Sequence, residues 1–112
     1  MAWEPISPDG MRALLADALT RLDEATRALW ARYGCTPYRV SCVRGAAGNA
    51  SAPESIYVVA RAESAVVVYD DVEEEFGAGA PGEDGVLRRW SNYGELRWAL
   101  PELSTEATRP EG

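Results

Sequence analysis

The chain has 112 residues, enough for one domain with a sizeable core, and its 46% hydrophobic content argues against global disorder. Eleven basic residues, all of them arginine, stand against 18 acidic ones, which leaves a formal net charge of −7. This acidity argues against nucleic acid and anionic membranes as partners, because both require a basic face, and it favours a basic protein partner.

The chain shows no targeting or membrane signal. Its first residues, Met1-Ala2-Trp3-Glu4-Pro5, have neither the basic nor the apolar region of a signal peptide, and no apolar run reaches the roughly 20 residues of a membrane span. We therefore expect a cytoplasmic protein, in which Cys35 and Cys42 are reduced. Because the chain has no histidine to complete a zinc site, we expect both cysteines to pack in the core.

A long amphipathic helix is predicted from Pro8 to Tyr33. Ser7 supplies a capping hydroxyl, and proline fits the first helical position. Apolar residues then recur every three or four positions, at Met11, Leu14, Leu15, Ala18, Leu19, Leu22, Ala25, Leu29, Trp30 and Tyr33. Gly34 is predicted to end the helix in the left-handed conformation. A stripe of this length indicates a helix that covers one face of a sheet.

Three β-strands are predicted after this helix. Alternation predicts the first strand over residues 36–44, with Tyr38, Val40 and Cys42 on one face, and residues 45–54 read as an exposed loop. A second strand is predicted over residues 55–62, where Ala60 lies on the face opposite Val59. The third, residues 65–69, is apolar on both faces and is therefore expected to be central.

One acidic segment carries the whole negative excess. Residues 63–85 contain eight acids and no base, whereas residues 1–62 have a net charge of +1 and residues 86–112 have none. The densest stretch runs from Asp70 to Glu75. It fits either a continued strand with Asp71, Glu73 and Glu75 in an outward row, which the preceding valines favour, or a helical turn capped by Asp71. In both shapes most carboxylates are expected to stay hydrated.

The segment after the acids contains a weak nucleotide-binding motif. Residues 77–82 spell G-x-G-x-x-G, but Pro81 interrupts the motif and Glu83 and Asp84 would repel phosphates, so a flexible turn is predicted. A fourth strand is predicted over residues 86–90.

The C-terminal end is predicted to form a short helix and a tail. Asn92 to Glu95 read as a capping box, and the helix that follows is expected to end near Pro101. Its apolar stripe consists of Leu96, Ala99, Leu100 and Leu103. We expect residues 1–103 to form a single α+β domain and residues 104–112 a disordered tail.

The composition argues against the commonest catalytic chemistries. Without histidine or lysine the chain lacks the usual general base and Schiff-base amine, and a serine nucleophile would have neither as its activator. The acidic run lacks the ligand spacing of a calcium-binding loop. We therefore expect no enzyme, no cofactor and no metal.

Two interpretations of the acidic run stay open. It is either a solvated edge that keeps the sheet from pairing with other chains, or a surface that binds a partner. The aromatic residues Trp90, Tyr93 and Trp98 nearby favour the second interpretation, since interfaces favour such anchors. Taken singly, Trp90 and Trp98 are each more typical of core positions.

The C-terminal half resembles small bacterial immunity proteins, which are encoded beside toxins of contact-dependent or other polymorphic systems. The resemblance lies in Val68-Tyr69-Asp70-Asp71-Val72-Glu73-Glu74-Glu75-Phe76-Gly77, in Gly85-Val86-Leu87, in Trp90, and in Gly94-Glu95-Leu96-Arg97-Trp98-Ala99-Leu100. It implies an acidic, non-enzymatic inhibitor that occludes the active site of a basic toxin, such as a nuclease.

The sequence thus predicts an α+β fold in which a long N-terminal helix packs on an antiparallel sheet of about four strands, followed by a short C-terminal helix. A small acidic secretion chaperone or adaptor that binds an effector segment is the alternative function. The oligomeric state stays open. The predicted partner-binding residues are Asp70, Asp71, Glu73, Glu74, Glu75, Glu83, Asp84, Trp90 and Tyr93.

Overall fold

The sheet is a five-stranded antiparallel meander. A computed structural model describes the backbone of residues 6–43 and 54–108, with side chains as far as residue 104. The strands are β1 (Gly34–Cys42), β2 (Glu54–Arg61), β3 (Val66–Asp70), β4 (Glu75–Gly79) and β5 (Trp90–Gly94). Each strand pairs with its neighbour in the chain, in the order β1-β2-β3-β4-β5. The predicted α+β class, the antiparallel pairing and the central position of β3 are confirmed, but the sheet has five strands rather than about four.

Two helices precede the sheet instead of one. They are α1 (Pro8–Leu19) and α2 (Glu24–Tyr33). Ser7 caps α1 as predicted, since its hydroxyl accepts from the Gly10 amide. The prediction of a single long helix was wrong, because Asp23 caps a second helix. The Asp23 carboxylate accepts from the Thr26 amide at 2.8 Å, and the Asp23 amide donates to the Thr26 hydroxyl at 3.0 Å.

Gly34 continues directly into β1. Its φ of −62° and ψ of 144° are extended, so the predicted left-handed cap was wrong. A side chain at this position would overlap the Trp30 ring, because a Cβ would lie 2.6 Å from two ring atoms. Glycine is therefore required here for close approach to Trp30 rather than for a positive φ.

Both faces of the sheet bury apolar side chains. On the face that carries the helices, the cluster includes Met11, Leu15, Leu22, Tyr57, Val59, Ala60, Val67, Tyr69, Phe76, Ala78, Leu96, Ala99, Leu100 and Leu103. The opposite face holds the second-face cluster, which consists of Cys42, Ile56, Val58, Val66, Val68 and Leu87. Ala60 joins Val59 on the helix face, contrary to strict alternation, because the β2–β3 register shifts between Val58 and Ala60.

The second-face cluster is closed by the connection between β4 and β5. In this connection the Leu87 amide donates to the Ser41 carbonyl at 2.9 Å, and the Val43 amide donates to the Leu87 carbonyl at 3.0 Å. Leu87 thereby forms a parallel bridge with Cys42 at the edge of β1, and its side chain is fully buried. The predicted strand over residues 86–90 was wrong, since only an isolated bridge forms before β5 begins at Trp90.

Two cysteines, neither of them in a disulfide, lie on this second face. Cys42 belongs to the second-face cluster and Cys35 packs against it, so the predicted core packing is confirmed. Burial raises the pKa of the Cys35 thiol above its ordinary value, which keeps the thiol protonated.

The C-terminal helices complete the helix face. They are α3 (Leu96–Ala99) and α4 (Pro101–Thr108). The predicted stripe of Leu96, Ala99, Leu100 and Leu103 is buried. The capping box was wrong, because residues 92–94 belong to β5 and Glu95, the residue before α3, makes no side-chain capping bond.

The predicted end of the C-terminal helix near Pro101 was wrong, because helical structure continues to Thr108. Pro101 opens α4, in agreement with the preference of proline for a first helical position. The predicted tail begins inside this helix, and residues 109–112 lie outside the described residues, as does most of the loop predicted over residues 45–54. Over the described residues, no helix has both the length and the apolar character that crossing a membrane requires.

Candidate functional site: the acidic turn

The densest acidic stretch forms the turn between β3 and β4. Asp70 is the last residue of β3, residues 71–74 make the turn, and Glu75 opens β4 opposite Asp70. We call residues 70–75 the acidic turn. Both predicted shapes, the continued strand and the helical turn, were wrong because the chain reverses direction directly after Asp70.

Asp70 holds this turn from inside the protein. One carboxylate oxygen, Oδ1, accepts from the Val72 and Glu73 amides at 3.1 and 3.2 Å, and Oδ2 accepts from the Asn92 side-chain amide at 3.2 Å. Asp70 is only 1% exposed and is therefore an exception to the expectation that most carboxylates of the run stay hydrated. An aspartate that bonds backbone amides two and three residues further on is a turn-forming signal that the sequence already contained.

Asp71 holds the turn from the N-terminal side. Its Oδ2 accepts from the Ile6 amide at 3.0 Å, and the Ile6 carbonyl accepts from Arg39 at 2.9 Å. The Arg39 guanidinium in turn lies 4.3 Å from the Tyr57 ring centroid. Asp71 is half-buried, and its other oxygen, Oδ1, is buried without a hydrogen-bond partner among the described residues. Asp70 and Asp71 therefore fix the position of the turn.

The outer side of the acidic turn is formed by Val72, Glu73 and Glu74, which are exposed, while Glu75 is half-buried. In the part of the chain that the structure describes, the carboxylates of Glu73 and Glu74 make no hydrogen bond or ion pair. Glu74 has a φ of 57°, in the left-handed region. The turn thus presents two unpaired carboxylates on a backbone that Asp70 and Asp71 hold in place.

A groove lies beside the turn. It has a volume of about 410 Å³, within the range of small-ligand sites. We call it the turn groove. Its apolar floor is formed by Leu14, Ala18, Tyr69, Phe76 and Leu96, and charged residues at its rim are Asp17, Arg21, Glu74, Glu95 and Arg97. Residues from α1, the β3–β4 hairpin and α3 thus meet here, although they are far apart in the sequence.

The rim contains two intramolecular ion pairs. Arg21 lies 3.2 Å from Asp17, and Arg97 lies 3.1 Å from Glu95. Glu74 is the rim carboxylate without such a partner among the described residues. Burial, and then the negative charges of Glu74, Asp71 and Asp70, raise the pKa of the Tyr69 hydroxyl.

Glu83 and Asp84 belong to the β4–β5 connection, not to the acidic turn. Asp84 is paired with Arg88 through contacts of 2.7 and 3.1 Å and also accepts from the Val86 amide. The Arg88 hydrogen bonds, followed by the Val86 amide, lower the pKa of Asp84 to about 2. Asp84 is therefore already engaged, whereas Glu83 is exposed.

The predicted aromatic anchors divide between core and surface. Trp90 packs against the second-face cluster and is half-buried, whereas Tyr93 is 36% exposed on β5. Burial and the neighbouring Glu102 raise the pKa of Tyr93. Trp98, which was not among the predicted site residues, is 52% exposed and lies 5.2 Å from the Arg97 guanidinium.

Sequence reasoning also missed the part of the turn groove that α1 supplies. Leu14 and Ala18 were predicted only as members of an apolar stripe, and Asp17 and Arg21 only as a pair on the wet face. Because the helix breaks after Leu19, this end of α1 stops beside the β3–β4 hairpin. No local pattern in the sequence links these positions to Tyr69 or Phe76.

Comparison of the chain with protein-family models, with curated proteins and with solved structures finds no match. The resemblance to immunity proteins therefore stays a prediction, and function has to be inferred from the chain's own residues.

Proposed function

We propose that this chain is a non-enzymatic acidic binding protein that neutralises a basic toxin, such as a nuclease, by occluding its active site. The supporting observation is the outer side of the acidic turn, where Glu73 and Glu74 are exposed and unpaired within the described residues. A carboxylate that has no internal partner is available to a lysine or arginine of another protein.

The scaffold of the turn favours tight binding. Asp70 accepts hydrogen bonds from two turn amides and Asp71 accepts one from the Ile6 amide, and these bonds hold the backbone before any partner arrives. A pre-organised surface loses less conformational entropy on association than a flexible loop. The net charge of −7 adds long-range attraction, which steers a basic protein toward the site and raises the association rate.

The proposal is tested by binding the product of the neighbouring gene to two charge-matched double variants. Glu73→Gln with Glu74→Gln neutralises the turn, and Glu24→Gln with Glu63→Gln removes the same charge elsewhere. Glu63 lies in the turn between β2 and β3, at the opposite end of β3, and Glu24 opens α2. We expect about 10- to 100-fold weaker binding for the first variant only, with association that slows steeply as salt is added.

Asp70 is left unchanged in this test because its neutralisation would alter the turn itself. If both double variants and the unmodified protein capture the partner equally at low and high salt, the acidic turn is only a solvated surface and the proposal fails.

A second candidate function, a secretion chaperone or adaptor, is favoured by the sheet edge. β5 is the last strand in the sheet order, and its Ser91, Asn92 and Tyr93 are exposed. An extended client segment can add to such an edge through backbone hydrogen bonds. Hydrogen exchange separates the two functions: a client strand would protect the amides of residues 91–93, whereas a docked toxin would protect residues 72–74.

A further inference from the structure

We propose that the turn groove receives an arginine side chain of the basic partner, with the Glu74 carboxylate as the acceptor of its guanidinium. This inference rests on the proposed function and names the side chain that the site recognises. It follows from the shape of the groove, the composition of its floor and the balance of charge at its rim.

The floor suits the stem and the planar head of arginine. Tyr69 and Phe76 line the groove with ring centroids 5.0 Å apart and ring planes tilted by 57°, and each keeps only a small exposed area there. The half-buried Leu14 and Ala18 supply the more accessible part of the apolar surface. Arginine packs its methylene stem along apolar surface and stacks its guanidinium on aromatic rings, while the rigid fork of N–H groups donates to a carboxylate.

The charges at the rim favour one additional cation. The lining contains three carboxylates, on Asp17, Glu74 and Glu95, and two guanidiniums, on Arg21 and Arg97, which leaves a net charge of −1. Because Asp17 and Glu95 each contact an arginine of this chain, the repulsion that Arg21 and Arg97 would exert on a newcomer is largely offset. One incoming arginine would neutralise the rim and complete a third guanidinium–carboxylate pair.

The backbone at Glu74 supports a role for its side chain. A left-handed φ is the conformation that glycine adopts most readily, so a glutamate there raises the free energy of the turn. Strain of this kind persists where a side chain serves a function. Here the side chain places a carboxylate at the rim of the turn groove.

The chain offers a single-site probe of the groove floor. Phe76 is its only phenylalanine, so labelling with 4-fluorophenylalanine gives one fluorine resonance. We expect N-acetyl-arginine amide to shift this resonance saturably, with a dissociation constant of about 1–10 mM, the range for a ligand with few contacts. N-acetyl-citrulline amide, which has nearly the same shape but no charge, should cause no saturable shift at matched ionic strength.

Two variants assign the response to Glu74. Glu74→Gln should weaken arginine-amide binding about threefold to tenfold. Glu63→Gln removes an equal charge from an exposed residue before β3, which does not line the groove, and should leave binding unchanged. An unchanged fluorine spectrum of ligand-free Glu74→Gln shows that the floor is intact.

Three outcomes would overturn the inference: no response to arginine amide, an equal response to citrulline amide, or equal weakening by both variants. Partner capture is measured separately. If the partner is captured through the acidic turn but arginine amide gives no response, the groove assignment fails while the proposed function stands. If arginine amide binds but the partner binds the variant with Glu73→Gln and Glu74→Gln as tightly as the unmodified protein, the proposed function fails instead.

Discussion

At position 74 the backbone conformation favours glycine, whereas the proposed binding role requires the glutamate side chain. The turn requires a φ of 57°, which costs a non-glycine residue about 1–2 kcal/mol. We therefore expect Glu74→Gly to leave the free energy of unfolding unchanged or to raise it by as much as about 1 kcal/mol, even though the groove loses its unpaired carboxylate. Urea unfolding measures this change.

The matched control is Glu73→Gly, at a neighbouring position without a positive φ. Glycine there only adds freedom to the unfolded chain, and the expected loss of stability is about 0.5–1 kcal/mol. A larger loss for Glu74→Gly than for Glu73→Gly would mean that the Glu74 side chain stabilises the fold, and the argument from backbone strain would be wrong.

Asp70 shows what residue-level reasoning could and could not predict. The run of valines before it pointed to the correct strand, β3. The sequence predicted that most carboxylates of the run are hydrated but did not identify Asp70 as the buried one. Whether a carboxylate at a strand end bonds its own turn depends on where the chain reverses direction. That reversal is set by the pairing of Tyr69 with Phe76 across β3 and β4, a contact that the local pattern does not encode.

The glycines of β4 allow this strand to approach β5 closely. A Cβ on Gly77 would lie 2.4 Å from the Ser91 carbonyl oxygen and 2.7 Å from the Asn92 side-chain oxygen. Because backbone atoms cannot yield as a flexible side chain does, we expect Gly77→Ala to lower the free energy of unfolding by about 1–3 kcal/mol. Chemical denaturation, together with faster exchange of the β5 amides, measures this effect.

Gly82→Ala is the comparison variant. A Cβ there would lie close to the tips of the Asp84 and Arg88 side chains, at 3.1 and 3.2 Å, and these exposed groups can move. The nearest backbone atom, the Val86 carbonyl oxygen, would be at an ordinary contact distance of 3.7 Å. The effect of Gly82→Ala should therefore be small. Equal destabilisation by the two substitutions would contradict the close β4–β5 approach.

At the scale of elements, strong periodicity was a reliable guide and glycine was not. The residues of the stripe from Met11 to Leu22 are buried or half-buried, and the apolar run of β3 is central. The prediction failed at glycines, because glycine occurs both in turns and in strands whose backbones approach closely. Glycine-rich residues 77–79 read as a turn but form a strand, because the neighbouring backbone takes the space that side chains normally fill.

The turn groove could not have been predicted from any one element. Leu14 comes from α1, Phe76 from β4 and Leu96 from α3, and only the packing of these elements brings them together. The charge segregation, by contrast, was visible in the sequence. What the structure adds is the division of the acidic turn into the residues that hold it, the buried Asp70 and the half-buried Asp71, and the exposed residues Glu73 and Glu74.

For the molecule as a whole, the acidic turn is a local source of repulsion within a chain of net charge −7. The molecule measures 40 × 38 × 20 Å. The Debye length is about 30 Å at 0.01 M salt and about 8 Å at 0.15 M, so at low salt each carboxylate is repelled by charges across most of the protein, and at higher salt only by its neighbours. Added sodium chloride should therefore raise the melting temperature.

We expect this rise to be smaller for the variant with Glu73→Gln and Glu74→Gln, because two adjacent charges have already been removed. At 0.01 M salt it should melt about 1–2 °C above the unmodified protein, the shift that corresponds to a few tenths of a kcal/mol, and the difference should shrink as salt is added. The variant with Glu24→Gln and Glu63→Gln has the same net charge but keeps the crowded turn, so its melting temperature at low salt should change less. Equal shifts in both variants would show that the repulsion belongs to the net charge of the molecule, and that the acidic turn is no more crowded with charge than the rest of its surface.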